Sequence, residues 1–434
     1  MPLPLEGVRV LDLTHGYGGP TGTRILADLG ADAVRVEDLA RIDAARLLLM
    51  ADGAPGSEPW NQGAYHALRN PGKRSLAVEL SSKAGQALLW RLMPQFDVLA
   101  ESFAPGVRRE MGFDYEAVRA RRPDIVMISL SDHGQSGPHS DSEAAGVGLE
   151  PAPGLSSTDP LCGMIAAGAV LTALRYRRRT GRGQHIDLFR QEATMGVVSG
   201  ALVDYQINGR LPDPVSNRGA FATPQGCYRC QGDDDWLVIS VANDAEWSAL
   251  CVATGHPEWR EDERFATILD RQANHDALDA LIEGWTATQD HVQAMHVLQA
   301  GGVTAAAVIN GKEMLLDPHL KARGQFDLLD HPTQGRRPIP RTLVAKFGRF
   351  DPGPRSAAPL LGQHNREVLI EAGLSEAEVY ELETAGIIGT RPRLAASGRA
   401  GSGRLSALED LLEVGALRAR ETDYKEQLGI GGRP

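Results

Sequence analysis

The residue best placed to do chemistry is Asp159, which stands immediately before Pro160. Aspartate is favoured at a helix cap and proline at the first helical position, so the pair reads as a helix start. The residues from Leu161 to Leu174 are almost wholly apolar or small, and the run ends in Arg175, Arg177, Arg178 and Arg179. That pattern predicts a buried helix, apolar all round, with cations at the end where carbonyls lack partners. A carboxylate is then held ionised at a helix mouth, as a plain cap or as a group for covalent catalysis. A second candidate is the loop Thr14-His15-Gly16-Tyr17-Gly18-Gly19-Pro20, whose amides and following helix start suit a phosphate. A third is the turn Asn70-Pro71-Gly72-Lys73-Arg74, where two cations beside a glycine turn read as a phosphate site or as a solvated turn.

These residues need a frame that brings them together. Val8 to Leu13 reads as a buried strand, Pro20 to about Leu29 as a helix, and Ala33 to Glu37 as the next strand. This βαβ unit partly imitates a dinucleotide fingerprint, but Thr21 stands where the third glycine belongs. Residues 39–65 form a loop-rich excursion, Ser82 to Met93 an amphipathic helix, and Phe96 to Glu101 and Ile125 to Leu130 further strands. After the arginine-rich helix end come the turn Thr180 to Gly183, a strand His185 to Leu188 and a helix from Arg190. Such alternation predicts an α/β fold, an open and mostly parallel Rossmann-like sheet covered on both faces. Ligands in such sheets sit at the carboxyl ends of strands, which is where the loops 14–20, 102–106 and 131–138 fall.

The chain changes character after about Tyr205. A large domain over 1–207 gives way to a polar linker, 208–225, and a smaller α+β domain, 226–325. In the latter a hairpin turns at Gly232-Asp233-Asp234, helical patterns follow at 245–254, 274–285 and 289–300, and Val303 to Ile309 is a strand. Residues 326–391 read as a return to the large domain, and 392–434 as a flexible linker with a C-terminal amphipathic helix.

Composition narrows the function. With 434 residues the chain can bury a large core, and its 42% hydrophobic and 23% charged content is that of an ordinary enzyme. A net charge of −11 and only 5% aromatics argue against a nucleic-acid surface. The N-terminus lacks a signal-peptide pattern and no run of 18 apolar residues exists, so a cytoplasmic protein without a membrane span is expected. Cys227 and Cys230 form a lone C-x-x-C without a second pair or histidines at metal spacing, so no metal is expected and the thiols are read as reduced.

The segment from Asp159 to Gln184 resembles the hallmark of the class III CoA-transferases, the CaiB/BaiF type, a family that includes formyl-CoA transferases and α-methylacyl-CoA racemases. The matching residues are Asp159, Gly163, Arg177 and Thr180-Gly181-Arg182-Gly183-Gln184. Leu11-Asp12-Leu13-Thr14, Gly19-Pro20, Leu26 to Asp32 and Val36-Glu37 resemble the family's opening. So do Asn70 to Ser75 with N-x-x-K-R-S, Glu101 to Gly106 with E-N-F-x-P-G (Ser102 replacing Asn), Met111-Gly112-Phe113, and Gly134-Gln135-Ser136-Gly137-Pro138. The resemblance spans about residues 5–391 and implies an interlocked homodimer. It implies Asp159 as a nucleophile that carries the acyl group as a mixed anhydride and then CoA as a thioester. It further implies contacts to CoA from His15, Gly16, Tyr17, Gly18, Arg35, Asn70, Lys73, Arg74, Ser102, Phe103, Arg109, Gly134, Gln135 and Gly137. The expected substrates are an acyl-CoA and a carboxylic acid.

Three departures matter. Asp38 stands where relatives have a base after V-E, and Glu110 where they have an arginine, so either Arg35, Arg41 and Arg109 compensate or the nucleotide is held loosely. The 139–158 segment is short, and Val147 replaces the histidine that racemising relatives carry in A-G-H-D, with His133 as a possible substitute. An acyl-CoA racemase or epimerase is therefore the second reading, and a non-catalytic partner subunit of a CoA-transferase-like complex the third.

Overall fold

The computed structural model describes residues 2–53, 56–140, 158–211, 216–219, 221–393 and 424–430. The described residues up to Val203, with those from His319 on, make one compact unit, and those from Asp204 to Pro318 make a second. The predicted C-terminal helix, 405–420, lies outside the described residues, as does most of the 139–158 segment.

The first unit is built on six parallel strands: β1 (Arg9–Leu13), β2 (Asp32–Asp38), β3 (Arg74–Val78), β4 (Val98–Glu101), β5 (Val126–Ser131) and β6 (Gln184–Phe189), in the order β3-β2-β1-β4-β5-β6. This is the doubly wound order, and its direction of winding reverses between β1 and β4, so the crevice for ligands opens at their carboxyl ends. The strands read as near-continuous apolar runs because both sheet faces are covered. Alternate residues serve the two faces. Leu11, Leu13, Leu99 and Met127 join one core cluster, and Val10, Val98, Val126 and Ile128 the other.

Helix α1 (Gly18–Asp28) leads from β1 to β2, and α2 (Ala64–Arg69) follows three short turns of 3₁₀ helix in the loop-rich excursion. Helix α3 (Lys83–Leu92) starts where Ser82 accepts the Gly85 amide at 2.9 Å, and it buries Leu88, Leu89 and Leu92 in the first cluster. Helices α4 (Pro105–Glu110) and α5 (Tyr115–Arg121) join β4 to β5. The long α6 (Thr158–Thr180) packs with α1 in the second cluster. It is not apolar-buried all round as the sequence suggested. Cys162, Ala166, Ala167, Val170 and Ala173 are buried, whereas Met164 and Ile165 stay 51% and 37% exposed. One sheet face and one neighbouring helix cover only one stripe of a helix. Helices α7 (Arg190–Met195) and α8 (Ser199–Asn208) follow β6. The return segment forms an antiparallel pair, β10 (Phe326–His331) and β11 (Gly335–Pro340), then comes back to β3, where Asn365 Oδ1 accepts the Ala77 amide at 2.8 Å.

The second unit carries an antiparallel sheet, β7 (Gln225–Arg229), β8 (Trp236–Ser240) and β9 (Thr304–Val308), in that order. Helices α9 (Asp244–Ala253), α10 (Ile268–Ala273), α11 (His275–Thr286) and α12 (His291–Ala300) accompany it. Its own core gathers Leu237, Ile239, Trp247, Phe265 and Leu298.

Candidate active site

Asp159 lies inside the first turn of α6, because the helix already includes Thr158. Its position is set by glycines. A Cβ on Gly18, the first residue of α1, would stand 3.0 Å from the Asp159 carbonyl and 3.2 Å from its carboxylate. A Cβ on Gly163 would meet the Gly18 carbonyl at 2.6 Å, and one on Gly22 the Gly163 carbonyl at 2.9 Å. The two helices thus touch backbone to backbone, and Gly18 and Gly22 serve this contact, whereas Gly19 makes room for the Thr14 side chain. A dinucleotide turn is a different use of glycine, and Thr21 breaks that pattern because it packs here within 2.8 Å of the Cβ that Gly163 lacks.

The Asp159 carboxylate is 37% exposed and accepts a 2.8 Å hydrogen bond from Arg190 Nη1. Arg190 is the first residue of α7, directly after β6, and its Nη2 donates to Asp132 at the end of β5. One guanidinium therefore joins two carboxylates, while its Nε is buried without a hydrogen-bond partner. Burial lowers the Arg190 pKa. A second guanidinium, Arg69 at the end of α2, stacks 3.5 Å over the Tyr17 ring. Burial brings it down to about 10 while the Asp159 charge pulls the other way. The thiol of Cys162, three residues beyond Asp159, is pushed up to about 12 by burial and then by Asp159, so it is protonated at neutral pH.

Next to this group a cleft of about 280 Å³ opens at the carboxyl ends of the central strands. Its lining includes His15 and Gly16 after β1, Ser102 and Pro105 after β4, Ser131 at the end of β5 and Asp132 just after it, and Arg190 after β6. The loops are tied together. The His15 amide donates to Ser102 Oγ at 2.8 Å, and the His15 ring lies 5.6 Å from that of Phe103. Burial, with Arg35 adding to it, lowers the His15 pKa, so the ring is neutral near pH 7. Gly134, Gln135 and Gly137 lie in the loop after β5. The Gln135 amide donates to both Asp187 oxygens at 3.1 and 3.0 Å, and Gly134 and Gly137 take positive φ of 78° and 97°.

Four of the cations and polar groups expected at CoA are held elsewhere. Lys73 is fully buried, and its ammonium is surrounded by Asp12 at 2.9 Å, Thr23 at 2.7 Å, Asn70 at 2.9 Å and the Pro20 carbonyl at 3.0 Å. Arg35, also buried, binds Asp43 at 2.5 Å and faces Glu37 at 3.4 Å. Arg74 turns to the sheet edge, to Asp32 at 2.6 Å, Glu367 at 3.0 Å and Glu371 at 2.8 Å. Asn70 is buried between Lys73 and His66. The reason is charge: a lysine or arginine inside the fold keeps its proton only beside carboxylates, and the strand ends supply them. Burial pushes the Lys73 pKa down to about 8 against the pull of Asp12. Burial would raise Asp12, but Lys73 and Arg35 outweigh it and hold the carboxyl at about 2. This network supports the cleft from beneath, because Asp43 also accepts the Gly16 amide at 3.0 Å.

Of the pair on α4, Arg108 turns inward to Ser129 at 3.1 Å and Glu101 at 3.7 Å, while Arg109 and Glu110 are exposed. Asp38 accepts the amides of Ala40 at 3.1 Å and Leu80 at 3.2 Å, which makes it a turn residue. His133 lies between the rings of His139 and Phe189, at 6.2 and 5.8 Å. Among the described residues no three His, Cys, Asp or Glu side chains form a group that could hold a metal. The residues that sequence reasoning missed are Arg190, Asp132, Arg69 and Asp43. The strand-end rule could have found the first two, since Asp132 and Arg190 directly follow β5 and β6.

Residues 5–365 match CoA-transferase family III, and the chain belongs to that family of transferases. It is 32% identical over 414 residues to a succinyl-CoA–D-citramalate CoA-transferase of Chloroflexus aurantiacus, covering 89% of this chain and 98% of the relative. It is 31% identical over 392 residues to an acetyl-CoA:oxalate CoA-transferase of Acetobacter aceti, covering 86% and 97%. Among solved structures, a CAIB/BAIF family protein from Brucella suis superposes with a TM-score of 0.77 at 29% identity, over 86% of this chain and all of that one.

Proposed function

We propose that the protein moves CoA from an acyl-CoA thioester to a carboxylic acid, with Asp159 as the covalent carrier. The observation that carries this reading is a half-exposed carboxylate at a helix mouth, beside a cleft at the sheet's switch point, in a chain whose relatives are CoA-transferases. Asp159 attacks the thioester carbonyl, the C–S bond breaks, and CoA leaves as thiolate from a mixed anhydride. The thiolate attacks the Asp159 carboxyl carbon, releases the donor acid and leaves an aspartyl-CoA thioester. The acceptor carboxylate repeats these two steps in reverse and departs as the new thioester. A carboxylate suits the task because each of its adducts is itself an activated acyl group. It is a weak nucleophile, so its fixed position against Gly18 has to supply much of the acceleration.

CoA is a substrate of this reaction, bound and released in each cycle. Neutral His15, Gly16 and Ser102 are the groups that line the cleft where its thioester end would lie, and Arg69 and Arg190 are the nearby cations. An interlocked homodimer is the assembly we infer, and exposed apolar surface supports it: Met164 and Ile165 on α6, and Leu202, Val203, Tyr205 and Ile207 on α8. No described helix is long and apolar enough to cross a membrane. A cytoplasmic location is part of the same proposal.

The test is a transfer assay pairing succinyl-CoA, acetyl-CoA and formyl-CoA with a panel of mono- and dicarboxylic acids. At least one pair is expected to exchange CoA, with parallel-line ping-pong kinetics. Intersecting lines, or no transfer from any pair, would count against the covalent route.

A further inference from the structure

Of the two cations near Asp159, Arg190 is the one hydrogen-bonded to its carboxylate, so its contacts change when Asp159 changes charge. Its Nη1 donates to Asp159 at 2.8 Å, its Nη2 to Asp132, its Nε is buried without a partner, and its side chain is 23% exposed on the cleft wall. In the cycle proposed above, which this inference rests on, Asp159 is an anion only at the start and end. As an anhydride or a thioester it is neutral. The negative charge moves to the thiolate and then to a free carboxylate, so charge is conserved at each step and nothing is oxidised or reduced. While the thioester stands, Nη1 has lost its anionic partner and Asp132 still grips the other arm. An arginine so desolvated binds a replacement anion strongly. A carboxylate placed on Nη1 also lies beside the Asp159 carboxyl carbon, where the acceptor must attack.

We propose that Arg190 binds and selects the acid: its Nη1 passes from Asp159 to the carboxylate of the departing donor acid and then to that of the acceptor, while Asp132 keeps the guanidinium in place. The residue is thus a substrate-binding group in addition to a partner of the resting nucleophile. The lowered Arg190 pKa that burial produces agrees with a guanidinium short of solvent.

The experiment uses the full chain and an acyl-CoA that charges the wild-type protein. Exchange of label between that acyl-CoA and its own isotopically labelled acid needs no guess at the acceptor. Hydroxylamine, a neutral nucleophile, discharges the same acyl-enzyme without offering a carboxylate. In Arg190→Met the acid concentration for half-maximal exchange is expected to rise about 10- to 100-fold, the scale of one charge-assisted hydrogen bond. Discharge by hydroxylamine is expected to change several-fold less. Arg190→Lys keeps a cation and is expected to fall between. Equal losses in exchange and in hydroxylamine discharge would overturn the proposal and reduce Arg190 to a support for Asp159. An unchanged half-maximal acid concentration would overturn it as well. If no acyl-CoA charges the wild-type protein, the covalent reading itself fails, and this inference falls with it.

Discussion

Two groups of cations and carboxylates in the first unit are built differently. Beneath the β1 loop, Lys73, Arg35 and Arg46 are fully buried and paired with Asp12, Asp43 and Glu37. Arg46 holds Glu37 through two bonds of 2.7 and 2.6 Å. At the cleft, Arg190 and Arg69 are partly exposed, and each leaves its Nε without a hydrogen-bond partner. The first group is closed to solvent: Arg35 too leaves its Nε and Nη1 without a hydrogen bond, but they face Glu37 at 3.4 Å and Asp12 at 3.9 Å inside the fold. The second is open, with the Asp159 carboxylate 37% exposed. The same residue types are therefore locked inside the fold in one place and reach solvent in the other, and what separates them is exposure.

Substitutions at Asp159 and Asp12 break this comparison most sharply. Asp159→Ala should remove CoA transfer by at least about a thousandfold if, as proposed, its carboxylate carries the acyl unit. Its stability to urea should stay within about 1 kcal/mol of the wild type, because the carboxylate is partly exposed. Asp12→Ala should do the opposite and cost about 3–5 kcal/mol of unfolding free energy, as it leaves Lys73 buried without its carboxylate. Acid should reveal the same pair. The folded Asp12 pKa of about 2 lies below its ordinary value of 3.8. Its contribution is therefore complete above pH 4 and is lost as the pH falls from there towards 2. A urea midpoint followed against pH in wild type and Asp12→Asn measures it, and the variant should show the shallower acid limb.

A smaller effect is expected at Gly18. Gly18→Ala puts a methyl 3.0–3.2 Å from Asp159, so activity should fall about tenfold with little change in melting temperature. Gly163→Ala meets backbone at 2.6 Å and should instead lower the melting temperature first. The smallest change to the folded unit is expected from Met164→Asp with Ile165→Asp. It should leave the circular dichroism spectrum intact while light scattering reports a halved molar mass if the exposed face of α6 is the dimer contact.

The sheet was legible because its strands are apolar on both faces and its loops carry glycine and proline at fixed places. β1, α1 and β2 fall within a few residues of where the pattern put them. The carboxylate at the head of α6 was legible for the same reason. The cations were not. Lys73 and Arg74 are neighbours in the chain, but Lys73, just before β3, turns inside while Arg74, its first residue, turns to the sheet edge. On α4, one step of helical phase turns Arg108 inward and Arg109 outward. Which arginines face a ligand depends on the carboxylates that fold up beside them, and those come from distant segments, as Asp43 does for Arg35 and Asp132 for Arg190. Local motifs name the loop and leave the pairing undetermined.

The most direct measurement is intact-protein and peptide mass spectrometry after brief mixing with each acyl-CoA and quenching with hydroxylamine. The account predicts a hydroxamate on Asp159 with at least one thioester, absent in Asp159→Ala. A chain that binds acyl-CoA yet carries no adduct on Asp159, or carries it on another residue, would contradict it.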